Sequence, residues 1–173
     1  MKLATVPPRL DEGSLERLYT ELEKPLYNVV FRWVWQREEA RDIVQEAFVR
    51  LWRMRARVEL ETVRPLVYRI ALNLAARRRR WRRLWRMAGL EAAGERAAAG
   101  RGPDEDVMSG EAQRNVRRAL DELPAALREV IVLCELGELS YQEVATVMKV
   151  PLGTVGSRRN AAMARLKRAL EQT

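Results

Sequence analysis

Between Arg77 and Arg86 the chain reads RRRRWRRLWR, seven arginines in ten residues. Guanidinium groups at that density attract polyanions, with nucleic acid the leading partner. Trp81 and Trp85 inside the run keep a membrane-surface helix as the other reading. Arg69, Asn73, Arg77 and Arg80 follow one another at steps of four, four and three, which places them on one face of a helix. An Asn among arginines can read a base edge while the arginines clamp phosphates. A second outward stripe, Asp42, Gln45, Glu46 and Val49, is either a solvated acidic face or a docking surface for another protein. Spacing alone does not separate those two readings.

The chemistry that is missing narrows the field. Among 173 residues there is no His and one Cys. Zinc fingers, zinc hydrolases, Ser-His-Asp enzymes and disulfide-stapled folds are therefore excluded. No run reaches 18 apolar residues and no signal-peptide core follows Met1, so a cytoplasmic chain that does not insert into membranes is expected. Hydrophobic residues make up 47% of the chain, enough for a buried core. The net charge of +8 is concentrated: residues 61–90 carry nine bases and one acid, which equals the whole excess. An enzyme built on carboxylates and a metal lacks support, because the acids are scattered and the cluster Asp104, Glu105 and Asp106 sits in a Gly-rich stretch without a rigid frame. No catalytic residue, metal or cofactor is expected.

The elements that must position these residues are helical throughout; no useful strand alternation and no internal repeat is present. The predicted fold is all-α, two small helical domains at 10–87 and 111–173 joined by a flexible linker at 88–110, which holds five Gly, one Pro and the acidic cluster. In the first domain Leu15, Leu18, Leu22, Leu26, Val29, Val30 and Trp33 form one apolar helix face, with Pro25 expected to kink or break it. Ala40, Ile43, Val44, Ala47, Phe48 and Leu51 line a second helix. Leu66, Val67, Ile70, Ala71 and Leu74 line a third, starting near Pro65.

In the second domain, Ser140-Tyr141-Gln142-Glu143 is a capping box that opens a short helix with Val144, Ala145 and Met148 inside. Lys149-Val150-Pro151-Leu152-Gly153 is the turn, and Thr154 is expected to cap a long basic helix with Val155, Ala162 and Leu166 inward. Short helix, turn and second helix make a helix-turn-helix. Leu120, Leu123, Leu127, Val130, Ile131 and Cys134 supply the helices it packs on, and Cys134 reads as a buried, inert thiol.

These residues also carry a resemblance. Glu39-Ala40-Arg41-Asp42-Ile43-Val44-Gln45-Glu46-Ala47-Phe48 followed by Leu51-Trp52 resembles the core-polymerase-binding helix of bacterial sigma factors. Val67-Tyr68-Arg69-Ile70-Ala71-Leu72-Asn73-Leu74 resembles their promoter-melting helix. Leu123-Pro124, Leu139-Ser140-Tyr141-Gln142-Glu143-Val144-Ala145 and Gly153-Thr154-Val155 with Ser157-Arg158 resemble the C-terminal promoter-reading domain. Motif order and a short linker are similar to the small extracytoplasmic-function (ECF) group, over about residues 12–86 and 112–170.

The resemblance implies an alternative sigma factor, a dissociable promoter-specificity subunit without its own catalysis. Asp42, Gln45, Glu46 and Val49 would dock on the largest subunits of core RNA polymerase. A loop from Arg57 to Arg64, with Asn73, would capture an unstacked base of the −10 element, and Arg69, Arg77 and Arg80 would hold phosphates of double-stranded and melted promoter DNA. Thr154, Ser157, Arg158, Arg159 and Asn160 would read the −35 element in the major groove. The linker would thread the RNA exit path, and an anti-sigma factor would pack against both domains. The chain departs from the family's pattern at Gly156 and Ala161, where basic residues are usual, at Arg159, where an apolar one is, and at Leu66, where Trp is. Arg158, Arg159 and Asn160 are the expected substitutes for the missing base readers. The alternative is a helix-turn-helix regulator acting without polymerase docking, which commonly needs a dimer seam to place two half-sites; no heptad seam is evident.

Overall fold

The computed structural model describes residues 10–87 and 110–171. The first helix, α1 (Glu12–Val34), is opened by Asp11, whose carboxylate accepts the Ser14 amide at 2.7 Å. It ends where Trp35 turns left-handed at φ 56°, its amide donating to the Phe31 carbonyl. α2 (Arg37–Arg53) places Glu38 and Glu39 in its first turn and Arg50 and Arg53 in its last, matching the charge to the helix dipole. A 3-10 turn, Arg55–Arg57, leads to α3 (Leu60–Met87), which at about 1.5 Å per residue spans about 42 Å. These helices bury Leu22, Leu26, Val29, Ile43, Val44, Leu51, Val67 and Leu74 in one core.

The expected proline break does not occur. α1 runs through Pro25, whose ring is buried beside Leu22 and Leu26; that packing outweighs the one lost backbone hydrogen bond. The third helix begins at Leu60, five residues before Pro65. Near a helix start Pro65 costs only the bond to the Glu61 carbonyl, so the loop expected from Arg57 to Arg64 is mostly helix and Arg64 projects from it. Leu66 and Ile70, expected inside, are half-buried, while Val63, Tyr68, Leu72 and Ala75 are buried.

The second unit holds α4 (Glu111–Glu122), α5 (Ala125–Leu136), α6 (Tyr141–Met148) and α7 (Leu152–Glu171). Leu123 is extended at ψ 140°, as the residue before a proline prefers, and Pro124 starts α5. The capping box forms: the Ser140 hydroxyl accepts the Glu143 amide at 3.2 Å, and the Glu143 carboxylate accepts the Ser140 amide at 2.8 Å. Lys149 takes the left-handed conformation at φ 55° and stops α6. α7 starts two residues before Thr154, which lies in the first turn instead of capping it. Pro151 directly precedes that turn, where a missing amide removes no intrahelical bond. Buried Val144, Ala145, Val147, Val155 and Ala162 join α6 and α7 to α5.

The two units touch: α3 packs on α6, and α1 on α5. The linker expected at 88–110, with its acidic cluster, lies outside the described residues up to its last residue, Gly110. No described helix is long and apolar enough to cross a membrane. Among the described residues no group of His, Cys, Asp or Glu could hold a metal ion.

Candidate polymerase and promoter interfaces

α2 turns Ile43, Val44, Ala47, Phe48 and Leu51 into the core. The opposite side leaves Asp42, Gln45 and Val49 exposed, Val49 at 49%. Glu46, from the same stripe, is half-buried between Arg50 at 2.5 Å and Arg78 at 3.5 Å. It therefore straps α2 to α3 as well as bordering the exposed stripe.

The arginine run on α3 divides by face. Arg78 pairs with Glu46, Arg79 with Asp121 at 3.3 Å, and Arg82 with Glu39 at 2.5 Å. Burial raises the Glu39 carboxyl above its ordinary value, with Arg82 and Arg78 opposing that rise. Asn73, Arg77, Arg80 and Arg83 are exposed to solvent, as is Arg57 of the 3-10 turn. Trp81, Leu84 and Trp85, toward the C-terminal end of α3, are exposed, Trp81 at 57%. Arg69, the first residue of the predicted row, is turned away from it. Its Nε donates to the Val147 carbonyl at 3.3 Å and its Nη2 to the Thr146 carbonyl.

On α7, Ser157 and Asn160 are exposed, and Thr154 and Arg158 half-buried. Ser157 donates its hydroxyl to the Thr154 carbonyl at 3.1 Å. Arg159 is engaged with Glu135 of α5 at 2.7 Å through two of its nitrogens. Glu129 of α5 is raised above its ordinary value by burial, and the nearby Arg158 charge opposes this. Gly156 sits in the helix with open space where a side chain would go. Cys134 is half-buried and burial raises its thiol above the ordinary value, which keeps it protonated and unreactive at neutral pH.

Sequence reasoning missed two features. Tyr27 and Phe31 of α1, with Trp35 just past its end, form an aromatic ladder with centroids 5.9 and 5.7 Å apart. It floors a groove of about 1050 Å³ shared by α1, α2 and α4, edged by Arg41, Gln45 and Arg117. Four-residue spacing of the three aromatics was the available signal. The second is Arg128, 2% exposed, which donates to the Leu120 carbonyl at 2.6 Å, pairs with Asp121 at 3.0 Å and lies over Trp33. Nothing in its immediate sequence distinguishes it from a surface arginine.

Family profiles match both units: Sigma-70 region 2 over residues 18–87, and Sigma-70, region 4 over residues 113–166. The ECF RNA polymerase sigma factor SigW of Bacillus subtilis (strain 168) is 30% identical over 174 residues, covering 92% of this chain and 90% of its own. The ECF RNA polymerase sigma-E factor of Escherichia coli (strain K12) is 31% identical over 163 residues, with 86% and 82% covered. The RNA polymerase sigma-H factor of Pseudomonas aeruginosa is 29% identical over 178 residues, with 94% and 89% covered. Among solved structures, CnrH in complex with the cytosolic domain of CnrY shares the fold at a TM-score of 0.67 and 23% identity, over 94% of this chain and 90% of that one. The sigma factor RpoE in complex with the anti-sigma factor NepR, from Bartonella quintana, does so at 0.62 and 20%, over 92% and 98%. Two region profiles in family order, together with a relative at 30% identity matched nearly end to end, place the chain in the ECF group of sigma factors, so it is an alternative sigma factor and the regulator without polymerase docking is not favoured.

Proposed function

We propose that this sigma factor binds core RNA polymerase through the exposed α2 stripe and reads promoter DNA with α3 and α7. Residues 10–87 and 111–173 act as the two functional units, joined by 88–110. Asp42, Gln45 and Val49 offer a polar contact set with one apolar member at its end, and Glu46 fixes its edge against α3. Asn73, with Arg57 of the 3-10 turn, takes an unpaired base of the −10 element. Flipping a base costs a few kcal/mol, which contacts to the base and phosphates offset. Arg77 and Arg80 hold those phosphates, joined by Arg69 when it is released from α6. The start of α7 enters the major groove at −35, with Thr154 and Ser157 near phosphates and Arg158 and Asn160 toward base edges. Arg159 contributes there only by giving up Glu135.

The observation that carries this reading is the division of the arginine run. Arg78, Arg79 and Arg82 satisfy internal carboxylates, whereas Asn73, Arg77 and Arg80 stay open on one face with no acid among them. The protein acts by binding and positioning, without catalysis or cofactor, in the cytoplasm. An anti-sigma factor is a further partner. The sigma factor RpoE of Bartonella quintana, which shares this fold, is held in its solved structure by the anti-sigma factor NepR, and the aromatic groove bordered by both units offers such a partner a surface.

Co-purification with core polymerase at moderate salt tests the docking half. Wild-type chain is expected to be retained, and Asp42→Ala with Gln45→Ala to weaken retention while circular dichroism stays unchanged. Retention equal to wild type would remove the α2 stripe from the account.

A further inference from the structure

On α3 the core stops before the apolar residues do. Leu74 and Ala75 are buried, and from Ala76 onward no described residue of the helix is. Trp81, Leu84, Trp85 and Met87 follow all the same, Met87 at 74% exposure. At about 3.6 residues per turn, Arg77, Arg80, Trp81, Leu84 and Met87 fall within about a third of the helix circumference, with Arg83 on one flank and Trp85 on the other. The opposite side is fixed to the bundle. Arg82 donates to the Val34 carbonyl at 3.3 Å and pairs with Glu39, and Arg78 pairs with Glu46. No acid occurs in α3 after Glu61.

We propose that this face is a lipid-binding surface, which seats the last three turns of α3 on an anionic bilayer interface. Contact is at the surface alone, since no described helix is long and apolar enough to cross. Two requirements have to be met together. Arg77, Arg80 and Arg83 call for anions, and the interleaved Trp81, Leu84, Trp85 and Met87 call for removal from water. Duplex DNA meets the first only, because its outer surface is phosphate and sugar. Single-stranded bases can stack on the two indoles but leave Leu84 and Met87 wet. The headgroup region of a bilayer meets both. Its phosphates lie at one depth, the acyl region that takes Leu and Met begins just beneath, and indoles favour the boundary between them. Arginine stems can lie along apolar surface while their guanidinium groups stay at the phosphates.

The surface reaches back to Arg77 and Arg80, so a chain seated on lipid cannot offer those groups to DNA phosphates. Lipid and promoter DNA therefore compete for α3. That consequence rests on the −10 role proposed above for Arg77 and Arg80, whereas lipid binding itself does not.

Flotation of the full chain with vesicles tests the proposal, using phosphatidylcholine alone and phosphatidylcholine with about one third phosphatidylglycerol. The chain should float with the mixed vesicles and stay behind with pure phosphatidylcholine. Mixed vesicles with brominated acyl chains should quench part of its tryptophan fluorescence, with half-buried Trp33, Trp35 and Trp52 left as background. Trp81→Ser with Trp85→Ser should abolish that quenching and weaken flotation by about tenfold or more. Thermal melting should stay unchanged, because both indoles lie outside the core. Arg83→Gln should weaken flotation by about fivefold. A wild-type chain that fails to float overturns the proposal. Flotation without quenching, and equal in the tryptophan variant, is charge attraction alone and overturns it too. If the variant loses affinity for forked DNA carrying the −10 element while its vesicle binding is unchanged, the face belongs to nucleic acid. The same DNA should displace the wild-type chain from vesicles. Should both bind at once, the −10 role of Arg77 and Arg80 falls and the lipid surface stands.

Discussion

An arginine in this protein is defined by what lies opposite it. On α3 the inward three meet Glu46, Asp121 and Glu39, and the outward ones meet solvent. Asn73 is the exposed polar group that can distinguish a base, so Asn73→Ala should reduce open-complex formation, followed by permanganate reactivity of unpaired thymines, more than initial −35 binding. Equal loss in both would end the base-capture role. Glu129 provides a test of a different kind. Burial holds its carboxyl above the ordinary value of 4.5, so the folded protein prefers it protonated. That preference contributes stability in full below about pH 4.5 and is lost as pH rises through the higher folded value. Glu129→Gln should therefore match wild type in urea unfolding near pH 4 and exceed it at pH 7. Lower stability at pH 7 would mean that attraction to Arg158 outweighs burial.

At the level of elements, Gly156 is informative because nothing inside the protein requires it. Space around its missing side chain is open, and it sits within α7. Gly156→Ala should stabilise the domain by up to about 1 kcal/mol in thermal or urea unfolding. If the bare backbone serves close approach to DNA, the same change should weaken −35 binding; undiminished binding would leave the glycine without a role. The helices themselves were legible from apolar spacing, and the α6 capping box was legible residue by residue. Three boundaries were not. Pro25 and Pro65 signal breaks locally, but burial of Pro25 and the early position of Pro65 overrule the signal. Thr154 resembles a cap, yet Pro151 already opens the helix. Tyr68 carried no cue that its hydroxyl would leave the first unit, because its acceptor is a carbonyl 69 residues away. For the same reason the row Arg69, Asn73, Arg77 and Arg80 was readable as a face, but the diversion of Arg69 was not.

Across the whole molecule, the two units communicate through Asp121 and Arg128. Arg128 is buried between α5, the Leu120 carbonyl and the Trp33 ring, with Asp121 as its counter-charge. Arg128→Ala should cost about 1–3 kcal/mol in urea unfolding, since it removes a buried hydrogen bond to the Leu120 carbonyl and leaves a void beside Trp33, while the half-exposed Asp121 keeps Arg79. A cost below about 1 kcal/mol would show that the pair is replaceable by water. The larger claim is that two helical units together direct a polymerase to a start site. Run-off transcription with purified core polymerase on a promoter library tests it most directly. The account predicts discrete start sites that appear only when this chain is added, that share sequences near −10 and −35, and that fade with Asn73→Ala. Transcripts indistinguishable from those of core polymerase alone would contradict it.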